Sequence, residues 1–260
     1  MVFQNTIRLD LGRDGNREIR FIGLDDKPLA GRDHVATHTT SYDPAGNITE
    51  RRFFDSSGKP VLSTAGYAGW QSVYDERQRE ISRTYIGTDG APLNVPDEGY
   101  ATLKRLYDDR GRISEESYFD KSGAKRAEKF ATVRAVYDAR GSVMEETFFG
   151  ADGKPSANLF EARVEHSLDR FGREIERRFF DAAGKLTINP HTGRAIVRFE
   201  RDGSGHVLRE LSLDASGQPV NRKDLGWYQV VRTYDKSGQE SSKMCKRTNG
   251  GVLAKCRTDD

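Results

Sequence analysis

Residues 42–60 read YDPAGNITERRFFDSSGKP. Two Asp-x-x-Gly tetrads, Asp43 to Gly46 and Asp55 to Gly58, flank a run that ends in Phe53 and Phe54. The segment recurs. From Tyr74 the chain reads YDERQREISRTYIGTDGAP, from Tyr107 YDDRGRISEESYFDKSGAK, and from Tyr137 YDARGSVMEETFFGADGKP. Leu168 opens LDRFGREIERRFFDAAGKL, Arg201 opens RDGSGHVLRELSLDASGQP, and Tyr234 opens a half copy, YDKSGQE. A degraded copy, DLGRDGNREIRFIGLDDKP, starts near Asp10. The starts at 10, 42, 74, 107, 137, 168, 201 and 234 lie 32, 32, 33, 30, 31, 33 and 33 residues apart. A period held that tightly means one supersecondary unit stacked on copies of itself.

Each copy reads locally as a hairpin. In Tyr-Asp-x-x-Gly, Asp suits the first position of a type I turn and Gly the last, where a left-handed conformation follows. The spacing predicts positive φ at Gly111 and Gly141. After the turn, Ile48, Glu50, Arg52 and Phe54 alternate with Thr49, Arg51 and Phe53, as in a strand. A second strand precedes each Tyr-Asp, with Ala131, Val133, Ala135 and Tyr137 against Thr132, Arg134 and Val136. Glycine supplies 26 of 260 residues and no long window holds a 3.6-residue period. The expected fold is all-β: tandem antiparallel hairpin repeats forming an extended, twisted or coiled β-sheet array. The expected organisation is a lead-in over 1–9, about seven to eight repeats over 10–240, and a C-terminal cap over 241–260. Phe53/Phe54, Tyr118/Phe119, Phe148/Phe149 and Phe179/Phe180 share one phase, and Tyr42, Tyr74, Tyr107, Tyr137 and Tyr234 another. Both sets are expected to stack as aromatic ladders.

Composition excludes several functions. Hydrophobic residues are 35% and charged ones 32%, which argues against a thick core. Lys plus Arg is 42 against 40 for Asp plus Glu, so no basic stripe is available for phosphates and nucleic acid is not an expected partner. No apolar run approaches the length of a membrane span. MVFQNTIRLD has neither the charged start nor the apolar region of a signal peptide.

Catalytic and metal constellations are absent from the pattern. His34, His38, His166, His191 and His206 are scattered over different repeats and phases. His34 and His38 share a face if their segment is extended, but no acid stands between them, and a solvated strand face is the simpler reading. Glu50, Glu115, Glu145 and Glu176 recur at one phase and read as cross-strand partners of Arg rather than paired catalytic acids. The Asp-x-x-Gly tetrads lack the alternating acids and distal Glu of a calcium loop. No nucleophile elbow, phosphate loop or dinucleotide fingerprint appears. No catalytic residue, metal or cofactor is expected.

Aromatics remain in the linking segments: Tyr67 and Trp70 in AGYAGW, Tyr100 in EGYA, Phe130, Phe160, and Trp227 and Tyr228 in LGWYQ. They suit a row of shallow pockets for sugar rings or an extended peptide, with Tyr67, Trp70, Tyr100, Trp227 and Tyr228 as the ligand-facing set. The alternative is that they plug a narrow core. Trp70 lies four residues before its Tyr and Trp227 seven, an offset that favours individual packing and predicts that both indoles are largely buried.

The recurring Tyr-Asp-x-x-Gly, at Tyr42, Tyr74 (with Gln78 in the Gly place), Tyr107, Tyr137 and Tyr234, resembles the YD repeat of bacterial Rhs-like surface and secreted proteins. The resemblance covers roughly residues 10 to 245. The spacing is longer than in typical Rhs repeats, and Phe-Phe-Asp-x-x-Gly-Lys-Pro is not part of that family's pattern. It implies bacterial origin, a periplasmic, cell-surface or secreted setting, and a β-sheet strip with no catalytic residues to transfer. In that setting Cys245 and Cys256 would close a disulfide across a C-terminal cap, the alternative being two unpaired cytosolic thiols. The function implied is a non-enzymatic module for protein interaction or structural scaffolding on the cell envelope. A carbohydrate or cell-wall binder using the linker aromatics is the alternative, so the partner is a protein or an envelope glycan.

Overall fold

In a computed structural model, residues 6–11, 17–22, 27–31, 33–127, 129–156 and 161–257 are described. The chain divides into two compact units, 1–131 and 132–260. The first carries β1 (Thr6–Leu11), β2 (Arg17–Ile22), β3 (Thr37–Tyr42), β4 (Ile48–Phe54), β5 (Gly69–Tyr74), β6 (Glu80–Ile86), β7 (Thr102–Tyr107) and β8 (Ile113–Phe119). The second carries β9 (Thr132–Tyr137), β10 (Val143–Phe149), β11 (Arg163–Leu168), β12 (Glu174–Phe180), β13 (Ile196–Arg201), β14 (Val207–Leu213), β15 (Gln229–Tyr234) and β16 (Glu240–Lys246). Within each unit every strand pairs antiparallel with its sequence neighbour. The fold is all-β, built of tandem antiparallel hairpins. Two boundaries differ from expectation. Thr6–Leu11 is strand rather than lead-in, and Glu240–Lys246 is strand rather than cap, so the half copy at Tyr234 is a complete hairpin.

The Asp of each tetrad makes its turn. Asp75 Oδ1 accepts the N–H of Arg77 and Arg79, both at 2.9 Å, and Asp108 Oδ1 does the same for Arg110 and Arg112. The second tetrads repeat this bonding at Asp55, Asp181 and Asp214. Where Gly150 or Gly87 replaces the leading Asp, Asp152 or Asp89 takes over one of the bonds from two residues on. The fourth residue closes the loop in the left-handed region, with φ +81° at Gly111 and +98° at Gly141. This is a type I turn followed by a glycine bulge, a common three-residue hairpin connection. Gln78 adopts φ +62° in the glycine place.

The strand alternation read from sequence is interrupted just after the turn. Tyr42 faces Ile48 and Ser41 faces Glu50, which leaves Thr49 as an extra residue. The same register shift falls at Ile81, Ser114, Met144, Ile175, Leu208 and Ser241. A bulge adds local twist and re-aims the carbonyl beside it. That carbonyl is used. Tyr74 Oη donates to Ile48 O (3.0 Å), Tyr107 Oη to Glu80 O (2.7 Å) and Tyr234 Oη to Val207 O (3.2 Å). Arg201, in the Tyr place, donates its Nε to Glu174 O at 2.9 Å. At these positions the repeated Tyr does not form the expected ladder; Tyr74, Tyr107 and Tyr234 stitch their hairpins to the bulge of the one before. Its ring is covered by the side chain that closes the previous turn: Arg79 lies 4.5 Å over Tyr107, and His206 stacks at 4.4 Å on Tyr234.

A second stitch uses alanine. Ala36, Ala68, Ala101, Ala131, Ala162 and Ala195 are all 0–3% exposed. The Ala68 N–H donates to Ile86 O within its own hairpin, and its carbonyl accepts from Phe53 of the hairpin before. The other alanine carbonyls accept in the same way from Phe21, Tyr85, Tyr118, Phe148 and Phe179. A side chain no larger than a methyl leaves room for both neighbours to approach.

The turn analysis has a direct stability consequence. Gly141→Val should lower the unfolding free energy by about 1 kcal/mol or more, because a β-branched residue resists positive φ. Gln78→Gly should raise it by roughly 0.5–1 kcal/mol by relieving a non-glycine left-handed residue. Urea midpoints for the two variants, moving in opposite directions, are the check.

Candidate interaction surface

The paired aromatics point to opposite sides of the sheet. Phe53 lies beside Tyr67 at 5.9 Å, and the contacts run on from Tyr67 to Tyr85 (4.8 Å), Tyr100 (6.1 Å), Tyr118 (5.0 Å) and Phe130 (5.6 Å). Strand rings from β4, β6 and β8 thus alternate with rings from the connectors. Tilted and edge-on contacts at these distances are the favoured geometries for aromatic pairs. This is the ladder face. In the second unit the same phase carries Phe148, Val164, Phe179 and Val197, packed with Phe199.

The linker aromatics expected to face a ligand are mostly spent here. Tyr100 is 8% exposed, and burial beside Tyr85 and Glu98 pushes its hydroxyl pKa to about 12. Tyr67 is half-buried between Phe53 and Tyr85. Trp227 is fully buried with Val230 and Cys245, and its Nε1 donates to Arg257 O at 2.8 Å. Tyr228 is partly buried and takes the place of the repeated alanine, accepting from Ser212 N and donating to Lys246 O. Trp70 departs from expectation. It is the second residue of β5, only partly buried, with Arg51 5.7 Å and Arg83 4.4 Å from its ring. The register puts it on a strand, where two guanidinium groups lie over its ring. Phe130 closes the ladder, while Phe160 lies outside the described residues.

Cys245 occupies the ladder phase of Phe53, Tyr85 and Tyr118, and it is disulfide-bonded to Cys256 with Cα atoms 5.2 Å apart. A covalent bond stands where a ring contact stands in the first unit. Ser212, at the phase before it, is small and fully buried, which leaves room for the Trp227 indole.

Charges on the ladder face are interleaved. Glu80 accepts from Arg83 (2.6 Å), Arg105 (2.6 Å) and Ser72 Oγ (2.8 Å), and Glu116 accepts from Arg105 (2.8 Å) and Tyr118 Oη (3.1 Å). Sequence reading did not single these out, because the Arg105 contacts to Glu80 and Glu116 form only through the cross-strand register. On the opposite, open face Glu50 pairs with Arg52, Glu145 with Arg163 at 3.1 Å, and Glu176 with Arg178 and Arg198, both at 2.6 Å. Glu145–Arg163 and Glu176–Arg198 are cross-strand pairs of the expected kind, whereas Glu50–Arg52 and Glu176–Arg178 lie within one strand, two residues apart; Glu115 accepts from Ser117 Oγ. Paired carboxylates of this kind buttress strands and are poorly placed to exchange protons with a substrate.

The histidines do not converge. His34 sits in a turn at φ +67° and is exposed, so it does not share a strand face with His38, as the extended reading had it. His38 packs edge-on to Phe21 at 6.1 Å, and burial together with Arg51 lowers its pKa. No cluster of three or more metal-ligating side chains occurs among the described residues. No helix among them is long and apolar enough to cross a membrane.

No family model matches the chain, and no curated protein matches it. Solved structures similar to it include the TcdB2-TccC3-TEV crystal structure, at 11% identity and a TM-score of 0.42 over 97% of this chain and 14% of that one. A TcdB2-TccC3-Cdc42 structure gives 11% identity and 0.39 over 99% and 15%. A Photorhabdus luminescens Tc holotoxin pore with a TccC3 mutation gives 12% and 0.31 over 94% and 16%. The chain spans about one seventh of the length of these structures, and the relation is loose. Identities and scores of this size carry no functional information across.

His166 provides a test of the buried charge network. Its Nδ1 lies 2.6 Å from Glu174 and its Nε2 3.7 Å from Glu146, with Arg177 beside Glu174. Glu146 and Glu174 raise its pKa to about 9. Burial alone would raise the Glu174 pKa, but hydrogen bonds from His166 and Arg177 bring it to about 2. The raised histidine stabilises the fold fully below its unfolded value of 6.5 and loses that contribution as pH climbs through about 9. The depressed glutamate contributes above 4.5 and loses its share as pH falls towards 2. Stability should therefore drop by on the order of 2 kcal/mol between neutral and alkaline pH. In His166→Asn that alkaline loss should vanish, as measured by thermal melts across pH.

Proposed function

We propose that the chain is a non-enzymatic, extracytoplasmic repeat module that acts as a structural scaffold or protein-interaction surface on the bacterial cell envelope. The observation that carries this reading is that the chemistry recurring in every copy is consumed internally. The tetrad carboxylates hold turns, the Tyr hydroxyls bond bulge carbonyls, and the connector rings stack on strand rings. What the repeats present outward is the open face, a β surface of Thr, Ser and paired Glu and Arg. Apolar residues on it include Val73, Leu106 and Val136, which are 57%, 59% and 55% exposed. Charged, flat surfaces with scattered apolar positions suit protein contacts better than substrate enclosure. The Cys245–Cys256 bond supports an oxidising compartment, since cytosolic thiols are kept reduced. Burial of Tyr100 and Trp227 speaks against a glycan row along the connectors.

Three measurements test the proposal. Thiol labelling without reductant should leave both cysteines unmodified in the native protein, and labelling of both would remove the oxidising compartment. In Trp70→Phe, emission reports Trp227 alone; it should be blue-shifted, resist acrylamide, and stay unchanged on adding peptidoglycan or oligosaccharide. Immobilised chain should capture proteins from envelope extract and retain no sugar on a glycan array. Saccharide retention with protection of the indole would replace the scaffold reading with the carbohydrate one.

A further inference from the structure

The second ring of each aromatic pair lies on the open face, and in three of the four pairs the strand beside it supplies a cation. Lys104 sits 4.9 Å over Phe119, Arg134 4.6 Å over Phe149, and Arg163 4.2 Å over Phe180. Phe54 is the fourth ring at this phase. Thr39 stands in β3 where Lys104 stands in β7 and Arg134 in β9, third in each strand. Among the described residues no cation lies over Phe54. Beside Phe54 there is a cavity of about 400 Å³, bounded by Glu18 and Arg20 on β2, Thr37 and Thr39 on β3, Phe54, and the Asp55–Gly58 turn. Its volume falls within the range of small-ligand sites.

The lining adds charge to the ring. Asp55 uses Oδ1 for the Ser57 and Lys59 N–H groups and the Ser57 hydroxyl, and the residue lines the cavity. Glu18 pairs with Arg20 at 2.5 Å. Among the residues that line the cavity, two carboxylates stand against one guanidinium. A π face, excess carboxylate and flanking Thr and Ser hydroxyls together describe a receptor for an organic cation.

We propose that this cavity binds a lysine or arginine side chain of a protein partner, placed over Phe54 as Lys104 is placed over Phe119. The proposal rests on the protein-interaction reading above and assigns it a contact point. The favoured occupant follows from the repeats themselves, since all three other rings at this phase carry a Lys or Arg.

The test titrates the full chain by calorimetry and NMR with acetyl-Gly-Lys-Gly-amide and its Arg counterpart. Norleucine and citrulline peptides serve as uncharged controls, and glucosamine as a non-peptide amine. Binding in about the millimolar range is expected for the charged peptides, with the controls weaker by about tenfold or more. Thr39→Lys should abolish binding by filling the cavity from within, without lowering the melting temperature. Phe54→Leu should also lose binding; if it unfolds, Thr39→Lys alone decides. Equal binding of norleucine and lysine peptides, or undiminished binding by Thr39→Lys, overturns the assignment. Absence of peptide binding with protein capture from envelope extract intact overturns the cavity proposal and leaves the module reading standing. Binding of glucosamine but of neither peptide overturns both in favour of an amino-sugar receptor.

Discussion

A single sheet has two faces and only its own connectors with which to cover them. That constraint shapes every repeat. The connectors return across one face and lay Tyr67, Tyr100 and Phe130 between the strand rings, so the layer that a helix or second sheet supplies elsewhere is one ring deep. Rings serve this purpose because each buries a large area for few torsions. The connectors can return so closely because the alanine at each crossing has no bulk beyond its Cβ. Where the row gives out, the substitutions keep volume in balance: Ser212 shrinks as Trp227 grows, and Cys245 reaches Cys256 by a bond instead of a contact.

The near-equality of acidic and basic residues has a local origin. An Asp that holds its turn also holds the side chain four residues on, as Asp75 holds Arg79, Asp108 Arg112, Asp169 Arg173 and Asp202 His206. Two of these side chains then cover the Tyr of the following hairpin. One carboxylate therefore serves turn, ion pair and ring cover at once. The backbone N–H of Arg112 is the main influence holding the Asp108 carboxyl below its ordinary value, which keeps the clamp ionised well into acid.

Much of this was legible in the sequence because it is written in turn chemistry. Asp and Gly three residues apart specify a turn wherever they occur, and the hairpins, the period and the positive φ at Gly111 and Gly141 follow from that rule alone. The bulge at Thr49 was not legible, since an extra residue in one strand alters pairing without altering composition. The two ladders expected from aromatic phase became one ladder and one set of stitches for the same reason: the bulge re-aims the carbonyl that Tyr74 reaches. Alanine at 36, 68, 101, 131, 162 and 195 recurs at the repeat period, but a small residue carries no chemistry of its own to mark its role. The cavity over Phe54 depends on Thr39 from the neighbouring strand, which only the cross-strand register brings near it.

The reach of the stitches has a bearing on how the chain comes to be folded. Tyr74, Tyr107 and Tyr234 bond to carbonyls 26 or 27 residues back, and no strand waits for a partner from a distant part of its unit. Loop-closure entropy is paid in small instalments, and topologies of that kind fold fast for β proteins. Each tyrosine also points backwards, towards the bulge of a hairpin already synthesised. A hairpin leaving the ribosome therefore meets a docking surface made of residues synthesised before it.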